Sequence, residues 1–154
     1  EGFIHIQNPM TENYAMVRKS IFPNLLHSES ISGNAVYPHR IFETGKVAFQ
    51  DEKDNYGSQT RNHAAFLVAD RQAGFNDINS IVSGLLYYLS RDYSLEETED
   101  PRFITGRTAI VHCDNTIVGI MGEFHPEVLS RWGIQMPCAG AEFDLDILLD
   151  RKGK

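Results

Sequence analysis

Residues 117–149 read IVGIMGEFHPEVLSRWGIQMPCAGAEFDLDILL, and the order of elements along this stretch decides the fold. The run opens apolar, carries Gly119 and Gly122, and stops sharply at His125-Pro126. Proline suits the first turn of a helix, where its missing N–H has no intrahelical partner in any case. The spacing of Val128, Leu129 and Trp132 predicts a short helix over 126–132, and Gly133 offers the left-handed residue that closes it. Residues 141–145 alternate apolar and acidic, which predicts a half-buried strand. The unit is therefore strand, His-Pro turn, one short helix, strand.

Working outward, 107–113 and 116–124 form an expected hairpin about Asp114-Asn115, two residues that tolerate positive φ. Residues 94–101 are acidic and read as irregular. The clearest helix is 77–91, where Ile78, Ile81, Val82, Leu85, Leu86 and Leu89 keep one face apolar and Asn76 can cap it. Residues 64–69, AAFLVA, are too continuously apolar for a one-sided strand and belong mid-sheet. The polar run 51–61 reads as a loop with its tip near Gly57-Ser58. Residues 40–43 and 46–49 bracket Gly45, as one strand with a bulge or two strands meeting at a bend. Ser20 is a good N-cap for a helix that presents Ile21, Phe22, Leu25 and Leu26 and ends in the polar stretch 28–34. Pro23 falls in its first turn. Residues 3–7 and 14–18 have weak strand character, with a turn from Thr11-Glu12-Asn13 between them. Six or seven strands and three helices, with tight turns joining neighbours, imply an α+β fold with helices gathered against an antiparallel sheet.

Composition bounds the rest. At 154 residues a single domain spanning 1–154 is expected. The formal charge of −7 and scattered Lys and Arg disfavour a major nucleic-acid surface, which wants clustered cations. Cys113 and Cys138 lack CxxC spacing and read as reduced thiols of a cytosolic protein. No apolar run approaches the ~20 residues a membrane helix needs. The chain starts directly on strand-like residues, as a domain cut from a longer protein would.

No motif announces chemistry. The histidines at 5, 27, 39, 63, 112 and 125 never fall at H-x-x-x-H spacing, so no metal is expected. There is no G-x-S-x-G elbow and no G-x-x-x-x-G-K loop. Sequence alone leaves a Ser–His–Asp arrangement open, because its members meet only in space. His125 reads as the corner holding the His-Pro turn. Arg18, Glu43 and Arg40 either line a pocket for an anionic or amine group or belong to a solvated strand face.

Five segments, in order, resemble one family. They are Asn8-Pro9-Met10-Thr11-Glu12 with 17–26, then 38–45 around F-E-x-G, then 75–86. The fourth is Phe103-Ile104-Thr105-Gly106-Arg107-Thr108-Ala109, where Thr105 replaces a usual proline, and the fifth is GIMGEFHPEV at 119–128. Together they resemble the β subunit of phenylalanyl-tRNA synthetase, most closely the archaeal and eukaryotic type. The resemblance implies the catalytic-like module of that subunit, built on the antiparallel sheet of class II aminoacyl-tRNA synthetases. It also implies a module that does not activate the amino acid but packs against the catalytic α subunit. The assembled cytoplasmic heterotetramer would use ATP and Mg²⁺ and hold tRNA; this chain would hold no cofactor. In that family's pattern Glu1 enters midway through the module.

An active class II core needs a late G-x-G-x-x-R segment whose arginine holds nucleotide phosphates. Here Glu142 and Leu145 stand at the second glycine and the arginine, and no Lys or Arg lies between Arg131 and Arg151. Asp144 and Asp146 would face phosphate oxygens, at about 4 kcal/mol per like-charge contact at ~4 Å and an effective dielectric of 20. The early segment Arg40-Ile41-Phe42-Glu43 is R-x-x-E instead of F-R-x-E. The competing expectation is a free-standing amino-acid-binding or ligase paralogue on the same core, with Arg18, Glu43 and His125 lining its pocket.

Overall fold

A computed structural model describes residues 4–10 and 15–150. The turn expected at 11–13 lies outside them. The main body is a six-stranded antiparallel sheet. Its strands are β3 (His39–Gln50), β4 (Ser58–Ala69), β5 (Tyr93–Glu97), β6 (Phe103–Cys113), β7 (Thr116–Phe124) and β8 (Cys138–Asp144), in the order β3-β4-β8-β7-β6-β5. A small hairpin of β1 (Ile4–His5) and β2 (Met16–Val17) stands beside it. Helices α1 (Phe22–Ile31) and α3 (Pro126–Arg131) cover one face of the sheet, and α2 (Phe75–Tyr88) and α4 (Leu145–Leu148) cover the other.

Each face has its own apolar core. Under α1 and α3, Phe22, Leu25 and Leu26 meet Val47, Leu67, Phe103 and Phe124. Under α2 and α4, Ile78, Val82 and Leu86 meet Val68, Val118, Met121 and Phe143. The helical stripe at 78, 82 and 86 is fully buried, as its 3.6-residue period requires.

Where local chemistry governs, structure follows sequence. Asp114 and Asn115 both take positive φ, 49° and 62°, in the β6–β7 turn. Gly133 takes φ 72° just past α3, and the His125 side chain caps that helix by accepting from the Glu127 N–H. β4 lies inside the sheet between β3 and β8, and Ala64, Ala65, Leu67, Val68 and Ala69 are all buried.

Several expectations are corrected. The stretch 141–145 is not a half-buried strand. β8 is central, six of its seven residues are buried, and Leu145 already belongs to α4, which Asp144 caps. The acidic stretch after residue 93 contains the edge strand β5, paired to β6 through five residues. α1 continues to Ile31 through the polar residues expected to end it. α2 starts at Phe75, with Gly74 at the cap position and its N–H held by the Asp77 carboxylate, so Asn76 is not the cap. β3 is one unbroken strand without a bulge. Gly45 serves another purpose: a Cβ there would collide with Nη2 of Arg18, whose guanidinium crosses the strand at that point.

Both cysteines are buried in separate cores. Burial, reinforced by the Glu29 carboxylate, pushes the Cys138 thiol up to about 12. Burial also raises Cys113, against the opposing pull of Arg91. The reactive species is the thiolate, so iodoacetamide at pH 8.5 should leave both thiols unlabelled in the native chain and label both in urea. A raised pKa means that the folded chain holds the Cys138 proton more tightly than the unfolded chain does. Its contribution to stability is therefore intact below the unfolded thiol pKa and falls away as pH climbs toward 12.

Candidate functional site

Beside the N-terminal end of α1 a cavity of about 530 Å³ opens over the sheet. Lys19 and Ser20 reach it from the segment before α1, Phe49 from the far end of β3, and Gln59, Arg61 and His63 from the start of β4. Arg102 enters from just before β6, and Glu142 and Asp144 from β8. Ile110, Ile117, Ile120 and Ile147 give it an apolar side.

Glu142 is the centre of this arrangement and is only 6% exposed. One carboxylate oxygen accepts from the Ser20 hydroxyl at 2.5 Å. The other accepts from the Ile21 N–H at 3.0 Å and meets Nδ1 of His63 at 2.7 Å. The Ser20 hydroxyl oxygen in turn accepts from the Phe22 N–H at 3.2 Å. The first amides of α1 are thus satisfied by a side chain 121 residues away, together with Ser20. An acidic group at this position also suits the positive end of the helix dipole.

The two arginines of the cavity are paired as well. Arg61 Nη1 lies 2.5 Å from Asp144, and the guanidinium also donates to Gln59. Asp144 also accepts from the Asp146 and Ile147 amides at the start of α4. Asp146 accepts from the side chain and backbone of Asn62, and these bonds hold its carboxyl below the usual range. Arg102 forks onto Asp100 at 2.8 and 2.7 Å and lies 5.5 Å from the ring centres of Phe22 and Phe103. Burial alone would raise the Asp100 carboxyl; the Arg102 hydrogen bonds outweigh it and the net shift is downward.

This corrects the electrostatic expectation for the late segment. Asp144 and Asp146 do not confront the cavity as bare carboxylates, because Arg61 and Asn62 hold them. Three cationic side chains do line the space, but they come from residues 19, 61 and 102 instead of 139–146. Leu145, at the position of the phosphate-holding arginine, packs against the core under α2.

The three expected pocket residues are not gathered into one cavity. Arg18 and Glu43 meet each other in an ion pair, and Arg18 Nε also donates to the Lys46 carbonyl at 3.0 Å along the edge of β3. His125 caps α3 and does not line the cavity. Arg40 alternates with Glu43 onto the opposite face of the sheet. What sequence reasoning missed is the Ser20–Glu142–His63 cluster. Its only sequence signal was a serine before a helix, since its members are 43 and 79 positions apart. Among the described residues, no group of three or more His, Cys, Asp or Glu side chains is placed to hold a metal ion. No helix among them is long and apolar enough to cross a membrane.

The six-stranded antiparallel sheet with helices on both faces has the fold of a class II aminoacyl-tRNA synthetase core. A solved pyrrolysyl-tRNA synthetase from Desulfitobacterium hafniense, PylSc, superposes with a TM-score of 0.73 over 96% of this chain and 52% of that one, at 15% identity. The particular family follows from sequence. The model of the phenylalanyl-tRNA synthetase beta chain CLM domain matches residues 1–145, and the chain belongs to that family. It is 49% identical over 149 residues to the phenylalanine–tRNA ligase beta subunit of Treponema pallidum subsp. pallidum, covering 97% of this chain and 25% of that protein. To the corresponding subunit of Borrelia hermsii it is 47% identical over 149 residues, covering 97% and 26%. The chain spans about a quarter of the length of these curated relatives.

Proposed function

We propose that this chain is a non-catalytic, synthetase-shaped module of a phenylalanine–tRNA ligase β subunit. It packs against the catalytic α subunit in the cytoplasm, and the assembled enzyme uses ATP and Mg²⁺ and holds the tRNA. The observation that carries the reading is the internal closure of the cavity. Glu142 is committed to Ser20, Ile21 and His63, and Arg61 and Arg102 are each committed to a carboxylate. Binding a triphosphate requires cations whose charge is not already matched. Taking Arg61 or Arg102 for that role would break its ion pair with Asp144 or Asp100. The alternative of a free-standing amino-acid-binding paralogue gains no support, because Arg18 and Glu43 neutralise each other and His125 lies elsewhere.

The test is ATP–pyrophosphate exchange with phenylalanine. The purified chain should give no exchange above the no-enzyme background, and exchange should appear when the complete α and β subunits are combined. Exchange by this chain alone, abolished by Glu142→Gln, would overturn the reading.

A further inference from the structure

The groups around Glu142 form a seat for a carboxylate, and the carboxylate that fills it belongs to the chain itself. The Ser20 hydroxyl donates to one oxygen at 2.5 Å, and the Ile21 N–H and His63 Nδ1 face the other at 3.0 and 2.7 Å. These three groups come from the segment before α1 and from β4, so the seat is held by parts of the fold other than the strand that carries Glu142. Ser20 is itself oriented by the Phe22 N–H, which donates to its hydroxyl oxygen at 3.2 Å. The positive end of a ten-residue helix lies behind them. The seat is buried, with Glu142 6% exposed, yet it is not sealed. Ser20, His63 and Glu142 all line the cavity of about 530 Å³. Lys19, Arg61 and Arg102 line the same space, and its other carboxylate, Asp144, is matched by Arg61.

We propose that Glu142 is an internal plug: its carboxylate occupies a site that otherwise takes a small free monocarboxylate, and so keeps such anions out of the cavity. The tether explains why the side chain wins. A carboxylate fixed to β8 faces the seat at an effective concentration that no free ion reaches in millimolar solution. Cutting the tether reverses the outcome. The atoms lost in Glu142→Ala, a methylene and a carboxylate, are those of an acetate ion. The vacated space opens into the cavity, so the ion enters without α1 or the sheet moving. Until it does, Ser20, Ile21 and His63 are left without the acceptor they share, and buried donors in that state are costly. Acetate restores both oxygens and the charge. Acetamide has the same shape but no charge and a single acceptor oxygen. Plugging depends on neither catalysis nor the partner subunit, so it can fail while the scaffold reading stands.

The test is thermal unfolding of the wild-type chain and of Glu142→Ala at about pH 7, in about 200 mM sodium chloride and in the same concentration of sodium acetate. Salts excluded from protein surfaces stabilise folded chains in general, so the wild-type shift is the baseline. The melting point of Glu142→Ala should rise by about 3–6 °C beyond that baseline, as filling a site at about ten times its dissociation constant requires for a chain of this length. Acetamide should give no such excess. Ser20→Ala in the Glu142→Ala background removes one donor and should raise the acetate concentration needed about tenfold. If Glu142→Ala is unfolded in chloride, the same comparison is read as recovery of the circular dichroism spectrum in acetate. No acetate effect beyond wild type, an equal effect of acetamide, or an acetate dependence unchanged by Ser20→Ala overturns the proposal.

Discussion

Replacing Glu142 with alanine should lower the unfolding free energy by about 3–5 kcal/mol, because three hydrogen-bond partners lose the one buried carboxylate they share. Three groups lose their acceptor at once: the Ser20 hydroxyl, the Ile21 amide at the head of α1, and the His63 ring. The side chain is 6% exposed, so water does not replace it without a cavity forming. For a chain of this length the loss corresponds to a melting point lower by roughly 6–20 °C. Glu142→Gln keeps one acceptor oxygen and should lose about 1–2 kcal/mol. Urea unfolding of the three proteins, read by circular dichroism, checks the order. A Glu142→Ala chain as stable as wild type would mean that this cluster decorates the fold without holding α1 to β8.

Phe22→Ala should cost a similar amount, about 3–5 kcal/mol, through a different mechanism. Phe22 is 1% exposed and meets Phe124 and Phe103 edge-on, with ring centres 5.2 and 5.7 Å away. Arg102 lies over the same ring. Gly140 shows how tightly this group fits: a Cβ there would lie 2.7 Å from the Phe124 ring and 2.9 Å from the Phe22 ring. Such packing leaves little room for neighbours to collapse into the space an alanine would open. Phe22→Leu fills part of it and should recover about half the loss. Equilibrium unfolding distinguishes the variants, and equal stability of Phe22→Ala and Phe22→Leu would show that the site relaxes freely.

What the sequence made legible was local. The Asp114-Asn115 turn, the Pro126 start and Gly133 stop of α3, and the stripe of α2 each depend on residues within one or two turns of chain. The continuous apolar run at 64–69 correctly announced a strand covered on both faces. The misreadings share a different cause. Ala-Glu-Phe-Asp-Leu alternates as an exposed-faced strand does, and only Ser20, Ile21 and His63, far off in sequence, make a buried Glu142 tolerable. Gly45 resembled a bulge because nothing near it in sequence shows that Arg18 needs the space. The acidic 94–97 segment resembled a loop because an edge strand keeps its charged side chains in water. The candidate site was hidden for the same reason. Its cations arrive from three separate places in the chain, and a search confined to the late glycine-rich segment passes over all of them.

The placement of β8 has a consequence for how the polypeptide reaches this shape. The strand nearest the end of the chain sits between β4 and β7, so the two halves of the sheet have no direct ladder joining them until it arrives. A ribosome-bound chain that has emerged only as far as α3 holds the β3–β4 hairpin and a separate β5–β6–β7 meander, and α1 lacks the Glu142 carboxylate at its head. Long-range closure of this kind slows folding relative to sheets assembled neighbour by neighbour. It also leaves apolar strand faces open to the surroundings until β8 has been made and has docked.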